Sequence, residues 1–522
     1  MKQKRDRYEM HKYWGKKPSG NLQELIDKYT KEGDTVLDPF SGYGVFGCEA
    51  FIMNRNVILN DLNPIAHFLN KQLMEVNVDI NKVQRQWLQI KEEFIPFVEK
   101  WYSWKVDGET VLLSSVLRDK KDIPLMGKYK PTGEKKSKEY TFTQEQANAY
   151  LQFEHEQSIT DWYPQTVLLQ NSRISAKAGM TVADLFTKRT LACHAKLLTL
   201  IEAHSSGTEK ELFKVAFTAN LANCSRLVPP IKSRGAMAPG AWMTGFYIGE
   251  TYLENNVLTY FENRVNKIIK GKQDYLTNKG LSNDQLSFGQ RHNTSYQIMS
   301  HDAKQLPLES DTVDYIFTDP PYGDAVPYFE QSIIWNAWLD FKPDYSNEIV
   351  ISDSKQRQKN QTSFETDINQ AFAEIKRVLK PSKYFSLTYH SLSGLEWKTI
   401  TNACINNGFE LADYTWLTQK SFTPRQINRL KSIKGDVLIT LKKSTSPVVV
   451  RSKSNQEVKE LFIEQIKKWL IKSPLDTNEI FIRIMKIVFA EKILIDNVDL
   501  LKILIDNFEL STTQQWQQTK IA

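Results

Sequence analysis

Residues 34–44 read DTVLDPFSGYG. Between two acids stand Thr35, Val36 and Leu37, the length and β-branched content of a short buried strand, and the chain then breaks at Pro39 and turns on a Gly-x-Gly pair. An amphipathic stretch follows over Val45–Asn54, and a second short strand, Asn56–Asp61 (NVILND), again ends on an acid. Strand, glycine turn, helix and strand in this order make one parallel βαβ unit. Glycines at 42 and 44 let the backbone turn tightly and approach a ligand with no Cβ in the way. In open α/β sheets the crevice outside the strand carboxyl ends is where ligands sit. The pattern is FxGxG, not GxGxxG, and no Walker Lys-Ser/Thr follows it.

Working outward, the strand pattern stops after Asp61 and resumes at Tyr296–Asp302 (YQIMSHD), Asp314–Asp319 (DYIFTD) and Tyr384–His390 (YFSLTYH). Gly408–Leu417 and Asp436–Lys442 complete seven strands. With helical crossovers between them, they predict an α/β protein built on an open, largely parallel, Rossmann-like sheet. The chain then divides into a first half of that domain (1–75), an insertion (76–293), a second half (294–443) and a C-terminal extension (455–522). The insertion reads as mainly helical, with apolar spacing clearest at Ala183–Ala203 and Glu209–Asn223. Within it, Arg118–Lys138 carries eight basic and three acidic residues, which suits either a solvated loop or a nucleic-acid contact. Leu227–Gly245 reads as a Gly- and Pro-rich loop ordered by packing. Ser444–Ser454 reads as a linker, followed by three or so short helical segments over Gln456–Glu509.

The acids at the strand ends carry the chemistry. Asp61, seventeen residues beyond Gly44, can accept hydrogen bonds from both hydroxyls of a ribose. Together with the glycine turn it points to an adenosine-containing ligand. Asp302 can read an adenine amino group or cap the turn at Ala303. After the fourth strand stands Asp319-Pro320-Pro321-Tyr322. Two prolines cannot donate backbone hydrogen bonds or continue the strand, so they fix the loop and leave carbonyls and a carboxylate as acceptors beside an aromatic ring.

FxGxG followed by DPPY resembles the amino-group DNA methyltransferases of the N4/N6 class, which use S-adenosylmethionine. The chain is most similar to the large adenine-specific branch that opens with a His-x-Tyr-Trp…Pro segment, here His11-Lys-Tyr-Trp-Gly-Lys-Lys-Pro18. The resemblance covers about 8–75 and 290–443, and more loosely 160–270, through DLFTKR (Asp184–Arg189) and NRVNKIIKGK (Asn263–Lys272). It implies a seven-stranded methyltransferase sheet in which Asp38, Phe40, Gly42 and Gly44 line the cofactor, Asp61 takes its ribose and Asp302 its adenine. Trp14, Lys16 and Lys17 would close over the methionine end, a lysine offering charge to its carboxylate. Asp319 and the Pro320 carbonyl, fixed by Pro321, would hold the target amine, and Tyr322 would stack on a base flipped out of the duplex. Such an amine is a poor nucleophile because its lone pair is delocalised, and two acceptors on its N–H bonds favour a pyramidal nitrogen that can take the methyl group directly. Tyr328 and Phe329 read chiefly as the first core residues of the next helix, and His390 chiefly as a core or capping histidine.

The formal charge of +7 permits an anionic partner without announcing one. Four scattered cysteines with no CxxC give poor support to a zinc ribbon, a disulfide scaffold or a CxxC redox enzyme, and no metal is expected. Cys48 follows the glycines in a helix and is not in a Pro-Cys motif, which disfavours methylation at a cytosine carbon. No apolar run is long enough to span a membrane. The expectation is a cytoplasmic, prokaryotic, nucleoid-associated enzyme that methylates adenine N6 in double-stranded DNA, within a restriction-modification or defence system and alongside a cognate endonuclease or other defence subunit. Cytosine N4 as the target, or a non-catalytic DNA-binding specificity subunit, stay open. Arg118–Lys138 is the first candidate for target recognition, and Thr418–Lys434 the second.

Overall fold

The computed structural model describes residues 5–281, 294–389, 395–417, 436–445, 450–451, 453–496 and 498–518. His390 and the Thr418–Lys434 segment lie outside them.

The seven expected strands form a single sheet: β1 (Thr35–Asp38), β2 (Asn56–Asn60), β3 (Tyr296–Met299), β4 (Val313–Thr318), β5 (Leu379–Tyr389), β6 (Phe409–Leu417) and β7 (Asp436–Lys443). Their spatial order is β6-β7-β5-β4-β1-β2-β3. β1 pairs in parallel with both β2 and β4, β2 with β3 and β4 with β5, while β7 runs antiparallel between β5 and β6. The order reverses at β1, so the carboxyl ends of β1 and β4 flank a topological switch point, where a doubly wound sheet opens a crevice. Alternation along the strands sends side chains to two cores. Val36, Tyr315 and Phe317 enter one, and Leu37 and Ile316 the other. Helices Val45–Ile52, Pro64–Met74, Gln361–Val378 and Leu395–Asn406 cover the faces.

The insertion departs from the mainly helical expectation. It holds long helices at Ile80–Tyr102, Lys188–His204, Gly207–Leu221 and Val257–Lys279, but also a five-stranded sheet. Its strands are Ser103–Val106, Glu109–Asp119, Pro124–Tyr129, Lys138–Thr141 and, across more than 130 residues of sequence, Thr251–Asn255. The segment read as the loop Arg118–Lys138 is therefore strand, turn and strand. Arg118 is fully buried and pairs with Glu154 at 2.6 Å and Glu254 at 2.7 Å, so its charge is spent inside the fold.

Departure and return of the insertion lie side by side. The Tyr275 hydroxyl donates to the Met74 carbonyl at 3.0 Å, and Lys272 Nζ donates to the carbonyls of Leu73 (3.2 Å) and Glu75 (2.7 Å). The C-terminal helices Asn455–Lys472, Thr477–Glu491 and Leu500–Asn507, with a small hairpin of Phe508–Leu510 and Trp516–Gln518, share the second core with the sheet. No helix among the described residues is long and apolar enough to cross a membrane.

Candidate active site

A solvent-connected cavity of about 950 Å³ opens at the carboxyl ends of β1 to β4. Trp14, Lys16, Lys17, Asp38, Phe40, Gly42, Asp61, Asp302, Asp319 and Pro321, all foreseen from sequence, line it. Gly44, Pro320 and Tyr322 do not.

The floor is set by the turn after β1. Gly42 N donates to Asp61 Oδ2 at 2.8 Å, and Asn63 N donates to Asp61 Oδ1 at 2.9 Å. A carboxylate has about four acceptor sites, so Asp61 is fixed in place with capacity left over. Burial pushes its carboxyl up to about 6. Asp38, almost fully buried, accepts from Phe40 N at 3.2 Å and is raised further, chiefly by burial and then by the neighbouring Asp61 and Asp319 charges. Gly44 has no freedom to be anything else: its φ is +81°, and an added Cβ would lie 1.9 Å from Asn70 Oδ1. Asn70 in turn donates to Ser41 Oγ and to the Gly42 and Ala66 carbonyls, tying the turn to helix Pro64–Met74. Asp302 accepts from Lys304 N at 2.9 Å, capping the turn, and the residue also lines the cavity.

The roof is the N-terminal arm. Arg7 pairs with Glu49 and with Asp274, each at 2.7 Å, joining the arm to the first half of the sheet domain and to the insertion. His11, buried, contacts Thr218 Oγ1 at 3.1 Å, and burial lowers its imidazole to about 3, so it is neutral. Tyr13 and Trp14 pack on helix Tyr328–Asn336, with Trp14 and Trp335 ring centroids 5.0 Å apart. The Trp14 indole N–H is buried beside the cavity with no acceptor among the described residues. That helix begins with Tyr328 and Phe329, which also line the cavity and so do more than fill the core.

The two lysines have different work. Lys16 Nζ donates to the Tyr8 carbonyl at 2.7 Å and the His11 carbonyl at 2.5 Å, and lies 3.5 Å from the Tyr43 ring centre. Burial lowers it to about 7. It staples the arm. Lys17 instead reaches across the cavity to Asp319, Nζ to Oδ2 at 3.0 Å.

Asp319 is held from its other side as well. The Tyr322 hydroxyl donates to Oδ1 at 2.9 Å, and Thr388 Oγ1 on β5 donates to the same oxygen. Tyr322 is only 8% exposed and its ring sits in the second core. The expected base-stacking position is therefore not where the structure puts it: Tyr322 braces the carboxylate from below. The aromatic residues lining the cavity are Tyr13, Trp14, Phe40, Tyr43, Phe46, Phe317, Tyr328 and Phe329.

Sequence reasoning missed Glu348. It lines the cavity, is buried, and contacts Arg357, which also pairs with Glu330 at 2.7 Å. An isolated acid in a run of polar residues gives no sign of this, since only the fold brings Glu330, Glu348 and Arg357 together. Cys48 is buried and burial pushes its thiol up to about 12, so it offers no thiolate. Among the described residues no group of three or more His, Cys, Asp or Glu could hold a metal ion.

Residues 1–71, which carry the arm, β1, β2 and the glycine turn, match the family model of the N6/N4 methyltransferases, described as DNA methylase. No curated protein matches the chain. Solved structures with a similar arrangement include an S-adenosylmethionine-dependent methyltransferase from Methanosarcina mazei, 12% identical over 29% of this chain and 68% of that one, TM-score 0.17. A putative DNA modification methylase from Thermus thermophilus is 12% identical over 30% of this chain and 58% of that one, TM-score 0.16. The geranyl diphosphate C-methyltransferase of Streptomyces coelicolor is 10% identical over 33% of this chain and 61% of that one, TM-score 0.18. The chain thus spans about three-fifths of the length of the last two.

Proposed function

We propose that this chain is an S-adenosylmethionine-dependent DNA methyltransferase that acts on the N6 amino group of adenine. The observation that carries the reading is one cavity in which two kinds of site meet: a glycine turn with Asp61 and Asp302, suited to a nucleoside, and the braced carboxylate of Asp319. The match of residues 1–71 to a DNA methylase family supports it.

The residues present fit the cofactor. Asp61 keeps acceptor capacity for ribose hydroxyls, Asp302 lines the cavity one strand away, and the orphaned Trp14 N–H and the Lys17 ammonium supply donors at the arm. S-adenosylmethionine bound there supplies a methyl group already activated for transfer. What remains for the chain is to position and polarise the amine. Asp319 accepts one of its N–H bonds, and its orientation is set in advance by Tyr322 and Thr388, so little reorganisation is needed when the amine arrives. Lys17 shares Asp319 with the amine, which limits the carboxylate to polarising the N–H bonds. The cavity admits a base only after it leaves the helical stack, so the target is flipped, and the Tyr328 and Phe329 rings offer faces against it. A prokaryotic restriction-modification or defence setting suits such an activity.

The test is transfer of labelled methyl groups to unmethylated DNA, with the product nucleosides separated. N6-methyladenine should appear, and Asp319→Ala should lower the rate by at least about 10²-fold with cofactor binding retained. N4-methylcytosine as the product would move the assignment to the other base, and equal rates for both proteins would remove Asp319 from catalysis.

A further inference from the structure

Two irregular segments of the insertion, 157–182 and 226–250, line no part of the cavity and have no place in the mechanism, yet they pack on the catalytic half and on the arm that roofs it. Each folds back on itself. Leu168 N donates to Met180 O and Val182 N to Thr166 O in the first, both at 2.8 Å. In the second, Ile231 N donates to Ala238 O and Gly240 N to Pro229 O, also at 2.8 Å. The two are joined where Ser175 N donates to Gly245 O at 2.8 Å. The approach is so close that a Cβ on Gly245 would stand 2.7 Å from the Arg173 carbonyl.

The first segment is then clamped to the catalytic half. Arg173 pairs with Asp324, two residues past the DPPY tetrad, at 2.6 Å. Ser172 N donates to Asp353 at 3.0 Å, and Trp162 packs edge-on against the buried Trp338. From the second segment Trp242 packs under Lys12 of the arm, whose Nζ lies 4.3 Å from the ring centre. The surface so placed is basic and aromatic. The two segments carry five basic residues and one acid before Glu250. Lys177, Lys232 and Arg234 are exposed and pair with no acid among the described residues. Trp162, Met243 and Tyr247 are 54%, 41% and 53% exposed.

We propose that these paired segments, and not the Arg118–Lys138 strands, are the element that grips DNA beside the extruded base and reads its sequence context. Unpaired cations neutralise phosphates, and flat exposed rings contact base edges or fill the gap left in the stack. The clamp at Asp324 transmits the position of the reader to the Asp319 loop. This inference rests on the DNA methyltransferase reading, and the experiment separates the two.

DNA binding is measured against salt concentration for the wild-type chain, for a Lys177→Ala/Lys232→Ala/Arg234→Ala variant, and for a Lys121→Ala/Lys135→Ala/Lys136→Ala variant of the other basic stretch. Each phosphate contact contributes about 0.9 to the slope of log K against log salt. The first variant should therefore lose about 2 to 3 from the slope with cofactor binding unchanged, and the second should lose nothing. Trp162→Ala/Tyr247→Ala should relax the sequence context of methylation, read by methylation-sensitive sequencing. If the wild-type chain puts no methyl on DNA, the functional reading falls. If it methylates DNA and the first triple variant keeps the wild-type slope, or the second loses it instead, this inference alone falls.

Discussion

Asp61 shows how a single side chain makes the site respond to pH. Its carboxyl is raised to about 6 because burial penalises its charge more than two backbone N–H groups repay it. Between about pH 4 and 6 the folded protein holds a proton that the unfolded chain has released, so stability contributed by this group declines as pH rises through that window. Ligand binding has the opposite sign if Asp61 holds a ribose as proposed, because the charged form is the better acceptor. Cofactor affinity should rise by up to about tenfold per unit from pH 5 to 6 and level off above, measured by titration calorimetry. Asp61→Asn should bind more weakly and with no such dependence, and a flat wild-type profile would count against the assigned role. Asp61 itself was legible in the sequence, because an acid ending the strand after a glycine turn has a local meaning. Lys17 was legible only as one of two lysines. That it, and not Lys16, faces Asp319 depends on the Lys16 chain turning back to the Tyr8 and His11 carbonyls, which no spacing rule encodes.

At the scale of elements, the seven strands were readable because each is a short apolar run closed by an acid or a turn residue. The sheet within the insertion was not. Glu109–Asp119 is half-exposed with a Ser pair at its centre, Pro124–Tyr129 opens on a proline and carries Gly127, and their neighbour Thr251–Asn255 lies far along the chain, so no local pattern announces the pairing. The loop that carries Glu348 was hidden for a related reason: Glu330, Glu348 and Arg357 look like surface charge until the helix Tyr328–Asn336 and the following loop are packed together. Burial drives Glu348 upward and Glu330 adds to the effect, against the pull of Arg357. Removing the cation that pairs with both buried acids is costly. Arg357→Met should therefore lower the unfolding free energy at pH 7 by about 3–5 kcal/mol in urea denaturation. A loss under about 1 kcal/mol would mean the network is not closed in solution.

For the molecule as a whole, the arm is the piece that makes three regions into one site. Through Arg7 it touches Glu49 and Asp274, through His11 it meets Thr218, through Trp14 it packs on Trp335, and through Lys17 it reaches Asp319. A chain lacking residues 1–17 should keep its sheet, seen by circular dichroism, but lose at least about 10² in cofactor affinity by calorimetry. Unchanged affinity would show that the arm only decorates the cavity. The C-terminal helices likewise proved continuous with the second core, although their sequence, beyond a linker-like stretch, carries helical periodicity and no hint of where it docks.

The stem at Met74 and Tyr275 has a consequence of another kind. Because the chain leaves and rejoins the sheet domain at neighbouring points, held by Lys272 and Tyr275 on backbone carbonyls, the 200 or so residues between are inserted at one place in the sequence and dock again through Arg173, Ser172, Trp162 and Thr218. Recombination that joins foreign sequence at that place replaces whatever the insertion recognises and leaves strand order, glycine turn and Asp319 untouched. If the insertion reads DNA as proposed, a lineage can in this way acquire a new address on the genome without having to reinvent its chemistry.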